Sequence, residues 1–172
     1  YRTAYLKAHY PVYFLAALLT SEAERGDTSQ VVKYINECQE MGIRILPPDI
    51  NQSDFNFTVV KGNIRFGLSA IKNVGEGAVQ ALLQEREKRG KFTSPFDICE
   101  EADSRIVNRK VIESLIKAGT FDSLGWKRSQ LFHLIDRMIE YSHEVQKTRS
   151  LKQNLLFGGS HIEPPPLPPE LK

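Results

Sequence analysis

Gly75-Glu76-Gly77 cuts a helical pattern in two, and that break limits most sharply what this chain can fold into. Leu68 to Lys72 starts a short helix, and Ala78 to Lys88 resumes the pattern. Two glycines around one residue permit positive φ and a close backbone approach. The helix that opens at Ala78 begins with unpaired N–H groups and the positive end of its dipole, which suits an anion such as a DNA phosphate. Val74 anchors the turn, while Ala70, Val79, Leu82 and Leu83 pack the two helices together. Lys72 flanks the turn, and Arg86, Lys88, Arg89 and Lys91 lie at the far end of the second helix. A plainer reading also stands: a C-capping glycine followed by a new helix. The context Ile71-Lys72-x-Val74-Gly75-x-Gly77-Ala78 favours a helix-hairpin-helix that grips DNA backbone.

Such hairpins tend to pair. Leu115 to Gly125 joins two amphipathic patterns and contains Gly119 and Gly125, with Lys117, Lys127 and Arg128 close by. It reads equally as a degenerate second hairpin or as an ordinary helix connection. The basic residues follow the motifs. From Lys61 to Arg128 there are 13 Lys and Arg against 9 Asp and Glu, a balance of +4, while the rest of the chain carries −2. The net charge of +2 therefore hides a positive centre.

The rest of the chain is mostly α. Pro11 opens a helix through Val12, Phe14, Leu15, Leu18 and Leu19, ending near Thr20. Asp27 or Thr28 caps a second helix, with Val31, Ile35, Cys38 and Met41 on one face and Gly42 at its end. Ile43 to Ile50 crosses Pro47-Pro48 and must be extended there. Lys61-Gly62 joins two short strands into one small β-hairpin. Ser94-Pro95 caps a helix to about Glu101, Asn108 caps another with Val111, Ile112, Leu115 and Ile116 on one face, and a regular stripe runs from Lys127 to about His143. From Glu144 the periodicity fades, and a proline tail, Pro164 to Pro169, closes the chain. That last part is expected to be disordered in isolation.

Inside this tail, Gln153-Asn154-Leu155-Leu156-Phe157 has the make-up of a peptide ligand. The Gln153 amide can bond a pocket rim while Leu156 and Phe157 fill an apolar pocket. No catalytic or metal-binding constellation accompanies it. There is no Asp-x-Asp pair, no phosphate-cradling Gly-rich loop and no nucleophile in a recognisable setting, and Cys38 and Cys99 have no metal spacing. His9 and Tyr10 read either as a nucleotide or DNA contact or as a helix junction. The longest apolar run, Val12 to Leu19, is too short to span a bilayer. Two free cysteines and no signal peptide suit a reduced, cytoplasmic setting. The absence of an initial Met in a helical pattern suggests a piece of a longer protein.

The wording of several segments resembles the bacterial DNA polymerase III α subunits, the C-family replicative polymerases. They are Tyr5 to Pro11, Met41-Gly42-Ile43, Leu46 to Asn51, Phe66 to Gly77, Leu115 to Gly119 with Phe121-Asp122, and Gln153 to Phe157. The match runs in order to about Gly159. It implies the end of a fingers domain (residues 1–52), a tandem helix-hairpin-helix region that holds duplex DNA (53–143), and a flexible tail with the peptide that binds the sliding clamp, the β subunit (144–172). The tail departs from the family's clamp peptides at Asn154 and Leu155. The expected DNA contacts are Lys72, Val74, Gly75, Gly77, Ala78, Lys117, Lys127 and Arg128, and the clamp contacts are Gln153, Leu156 and Phe157. The resemblance also implies a DNA-directed DNA polymerase, a nucleotidyltransferase of chromosomal replication, as the parent. Its Mg2+-binding carboxylates lie outside this chain, so the fragment is expected to need no cofactor and to be inactive alone. Other replicase subunits are reached through the parent chain, and no membrane is involved. Two other classes remain: a DNA-binding module of a repair enzyme, and an interaction scaffold without DNA binding.

Overall fold

The computed structural model describes residues 11–103 and 105–154. Two helices open it, α1 (Pro11–Arg25) and α2 (Thr28–Glu40). Three short strands follow: β1 (Ile45–Leu46), β2 (Thr58–Val60) and β3 (Asn63–Arg65). Four helices complete the order: α3 (Glu76–Arg89), α4 (Asp97–Glu101), α5 (Arg109–Lys117) and α6 (Arg128–Asn154). Short 3-10 turns at Leu68–Ala70 and Asp122–Leu124 lead into α3 and α6.

Local chemistry sets these boundaries. Asp27 caps α2 by accepting the Gln30 N–H at 3.2 Å, and Asn108 caps α5 by accepting that of Val111 at 3.2 Å. Helix α1 runs five residues past Thr20, because Glu22 and Arg25 continue the turn on its solvent side with a 3.4 Å pair. The β-hairpin closes through Lys61 (φ 49°) and Gly62 (φ 78°), two consecutive left-handed residues that suit the twist of a two-residue turn. The extended stretch before Pro47 gains a role that the sequence did not advertise. There β1 pairs parallel with β3, giving the order β1-β3-β2.

Two apolar cores result. Leu15, Leu19, Val31, Cys38, Ile43, Phe57 and Ile64 pack α1 and α2 on the sheet. Ile50, Leu68, Ile71, Leu82, Phe92, Phe96, Leu115, Phe121, Leu134 and Met138 belong to the larger core of α3 to α6. Phe66 packs against both. Phe57 and Ile64 join α1 and α2 in the first core, while Ile50 belongs to the second.

The segment Pro47 to Asp54 stitches the cores together. Asp49 accepts the N–H groups of Asn51 (2.8 Å) and Gln52 (3.1 Å). Asn51 bonds both the N–H (2.7 Å) and the C=O (2.9 Å) of Phe92. The Ile50 N–H reaches the Thr120 C=O at 2.9 Å. Arg86 donates to the carbonyls of Ile50 (3.2 Å) and Ser53 (2.6 Å) and to Asp54 (3.0 Å). Arg86 is thus tied into the scaffold.

One expectation is corrected at the C-terminus. The helix does not stop at His143 but continues as α6 to Asn154. The fully buried stripe ends at Tyr141, and Val145 is the last apolar residue packed against the core, yet Glu144 to Lys152 are mostly good helix formers that extend a helix already nucleated. Residues 144–154 of the expected flexible tail are therefore helical. Leu156, Phe157 and the proline tail lie outside the described residues, as do Lys7, His9 and Tyr10.

Candidate nucleic-acid interface

The first turn is built from Ile71 to Ala78. The side chains of Ile71, Val74 and Ala78 are buried at 7%, 5% and 3% exposure, so they fasten the turn to the larger core. Val74 and Ala78, expected among the DNA contacts, can meet a ligand only through their backbone. Lys72, Asn73, Gly75, Glu76 and Gly77 are exposed.

The left-handed step falls elsewhere than expected. Gly75 has φ −73° and ψ 164°, and Gly77 sits inside the first turn of α3, so neither uses the conformational freedom of glycine. Asn73 makes the bend, with φ 68°. Asn enters this region more readily than other side chains because its amide bonds locally. The Asn at position 73 is the sequence signal for this bend.

The two glycines also do not serve internal packing. A Cβ on Gly75 would meet nothing within 4 Å, and one on Gly77 would meet only Ile106 Cγ2, at 3.9 Å. Gly67 is the opposite case, where a Cβ would lie 2.6 Å from the Asn56 carbonyl carbon. What Gly75 and Gly77 provide is a bare outer surface over the start of α3. No side chain caps that helix. The N–H groups of Glu76, Gly77 and Ala78 have no intrahelical acceptor, as at any helix start. Glu76 places a negative charge there, but its carboxylate is drawn along the helix to the Gln80 amide at 3.1 Å.

The second turn is built differently. After α5, Gly119 (φ 82°) donates to Ile116 C=O at 3.0 Å and Thr120 donates to Leu115 C=O at 3.1 Å, a Schellman closure. Arg128 lies over that glycine. Its guanidinium bonds both carboxylate oxygens of Asp122, at 3.2 and 2.8 Å, and donates to the Lys117 C=O at 3.3 Å. A Cβ on Gly119 would come within 2.5 Å of Arg128 Nη2. The Asp122 carboxylate also holds the proton of the guanidinium more tightly than usual. At the start of α6, the Lys127 N–H is capped by Gln130 Oε1 at 3.0 Å. This turn is thus filled and capped from within, whereas the first is open.

The two turns meet at a groove of about 530 Å3, lined by Pro48, Phe66, Ala70, Ile71 and Ala118 with Lys72, Asn73, Ser114 and Lys117. The structure therefore brings Lys72 and Lys117 onto one groove. Both are exposed, and no salt bridge of either is found among the described residues. Lys127 and Arg128 are exposed on the second turn.

At the far end of α3, Arg89 is consumed by the scaffold. It pairs with Glu85, Glu100 and, at 3.5 Å, Asp97. Tyr141 donates to Glu100 at 2.8 Å, and burial together with this carboxylate pushes its phenol pKa upward. Burial pushes the Cys99 thiol up to about 12, so it is an inert core group. Among the described residues no cluster of His, Cys, Asp and Glu is placed to hold a metal ion. No described helix is long and apolar enough to cross a membrane.

The helix-hairpin-helix motif family matches residues 42–131, the span that contains the open turn, the filled turn and the groove. The chain belongs to that family. It is also similar over nearly its whole length to DNA polymerase III subunit alpha of several bacteria. Identity is 44% over 165 residues for Borreliella burgdorferi, covering 96% of this chain and 14% of that protein. It is 45% over 168 residues for Thermus aquaticus, covering 97% of this chain and 13% of that protein. For Escherichia coli it is 41% over 165 residues, covering 95% of this chain and 14% of that protein. This helix-hairpin-helix chain thus corresponds to roughly one seventh of the length of these relatives.

Proposed function

We propose that the chain grips duplex DNA by its backbone, without reading sequence, as one segment of a replicative DNA polymerase. The observation that supports this best is the open first turn: a helix start with no side-chain cap, beneath two glycines that no internal contact requires. A phosphate oxygen can approach the N–H groups of Glu76, Gly77 and Ala78, while Lys72 and Lys117 neutralise the flanking backbone. Lys127 and Arg128 belong to the second turn, where Arg128 acts mainly by holding Asp122. Such contacts fix the position of the duplex but carry no sequence information.

The parent protein, on this reading, is the DNA-directed DNA polymerase of chromosomal replication, a cytoplasmic enzyme. Its Mg2+ and catalytic carboxylates belong to parts outside this chain. Gln153, Leu156 and Phe157 tether it to the sliding clamp. The tether raises the local concentration of duplex at the enzyme and turns brief encounters into processive synthesis.

The test of the grip is fluorescence anisotropy on several unrelated duplexes across a salt series. Lys72→Ala should reduce the salt slope by about one unit, and Gly77→Val should weaken every duplex alike. A folded Gly77→Val protein with unchanged affinity, or a loss confined to one sequence, removes the first turn from the interface.

A further inference from the structure

Helix α5 carries its charges on two separate sides. Arg109 and Glu113 share one stripe of its outer surface, and Lys110, Ser114 and Lys117 share the next. The first stripe is spent on the protein itself. Arg109 bonds Glu113 at 3.1 Å and also pairs with Asp136 of α6, so this side faces α6 and its carboxylates are neutralised. The second stripe holds no acid. The Ser114 hydroxyl turns back to the Lys110 C=O at 2.8 Å. Lys110 and Lys117 are exposed, and among the described residues neither makes a salt bridge.

The orientation of this bare stripe is fixed from behind. Val111, Ile112, Leu115 and Ile116 are buried in the larger core, and Asn108 caps the helix start. At one end of the stripe, Ser114 and Lys117 line the groove together with Lys72 and Asn73 of the first turn. Lys110 lies seven residues before Lys117. That is two helical turns, about 10 Å along the axis and within about 20° of the same direction. Lys110 therefore prolongs the cationic wall of the groove towards the loop between α4 and α5.

A helix side with two spaced ammonium groups and no carboxylate complements a polyanion whose charges recur along a line. A duplex rises about 3.4 Å per base pair along each strand, so about 10 Å corresponds to phosphates roughly three nucleotides apart. We infer that α5 lies along one strand of the duplex, with Lys110 on a phosphate separate from the one that Lys117 meets at the groove. Helix α5 is then a DNA-binding element in its own right, beside the two turns, and the footprint runs from the groove towards the α4–α5 loop. The inference rests on the backbone-grip reading and adds to it an element, a residue and a direction.

The experiment is fluorescence anisotropy of the 172-residue chain on several unrelated duplexes across a salt series. Lys110→Ala should lower the salt slope by about one unit and weaken every duplex alike, by about three- to tenfold. Lys110→Arg should keep the slope, because the charge remains. Lys110→Ala combined with Lys117→Ala should lower the slope by about two units, as separate phosphates require. If Lys72→Ala lowers the slope and Lys110→Ala does not, the inference fails and the grip stands. A double variant that loses only one unit also overturns it, since the two lysines then share a phosphate. If neither Lys72→Ala nor Lys110→Ala alters binding, the backbone-grip reading fails too. Circular dichroism confirms folding, and Lys110→Gln serves as a second variant should the alanine protein unfold.

Discussion

Gly67 and Gly77 stand ten positions apart and differ in every physical respect. A Cβ on Gly67 would press into the backbone of Asn56 and Phe57, at 2.6 and 2.8 Å. A Cβ on Gly77 would point into open space apart from Ile106. Gly67→Ala should therefore destabilise the fold by about 2 to 3 kcal/mol, as overpacking against rigid atoms does. Gly77→Ala should stabilise it by about 0.5 to 1 kcal/mol, since alanine loses less entropy in a helix. Urea melts of the two variants give both numbers, and a destabilised Gly77→Ala protein would show that the glycine serves the fold. The same pair shows what the sequence could and could not disclose. The motif around Gly75 and Gly77 was legible as a helix break, and the break is there. Which residue bends the chain was not legible, because glycine masks the subtler preference of Asn73 for the left-handed region. The burden carried by Gly67 depends on a backbone segment ten residues earlier in the chain. No local pattern announces that.

At the scale of elements, helices with a clear cap or a regular stripe were readable. Asp27, Asn108 and Pro11 stand where the structure starts its helices. The sheet was only partly readable, since β1 has two residues and is defined by its partner β3 and not by its own pattern. The arginines at the end of α3, far from the turn, have roles that sequence spacing does not disclose. Arg86 and Arg89 are used by contacts across the fold. Arg89 is the joint between α3 and α4, facing three carboxylates while a quarter of its side chain remains exposed. Replacing it by Leu should cost about 3 kcal/mol, because Glu85, itself nearly buried, and Glu100 are left close together without a cation. Duplex affinity of the folded fraction should not change. Thermal unfolding by circular dichroism and anisotropy on the same sample check both parts. A loss of DNA affinity without a loss of stability would place Arg89 at the interface.

For the whole molecule, α6 is the element that, on the proposed reading, joins the DNA-gripping turns to the segment proposed to bind the clamp. Its N-terminal half packs on the larger core through Leu131, Leu134, Ile135 and Met138. Towards its C-terminal end Gln146 donates to the Ala102 C=O at 3.0 Å. From Arg149 to Gln153 its residues are exposed. At about 1.5 Å per residue, Gln153 stands roughly 38 Å along the axis from Arg128, close to one turn of duplex at about 3.4 Å per base pair. The fading periodicity after His143 thus marks a thinning of the packing, with Val145 and Gln146 still held, and not the end of the helix. If the proposed grip and tether hold, a rod of this length would fix where the clamp can sit while the turns hold the duplex. Two variants separate the tether from its spacing. Leu156→Ala with Phe157→Ala should remove most clamp affinity, since apolar anchors of this kind cost about 2 kcal/mol or more each, and should leave duplex binding as it was. A helical insertion of roughly seven residues after Arg149 moves the peptide outward by about 10 Å and keeps it near the same helix face. It should leave each separate affinity intact but reduce retention on clamp-loaded DNA, because effective concentration falls when the spacer no longer matches the span. Surface plasmon resonance on immobilised clamp, with and without DNA threaded through it, reads both effects. Unchanged clamp affinity in the double alanine variant would refute the tether. Unchanged retention with the insertion would refute the rod and leave the tether in place.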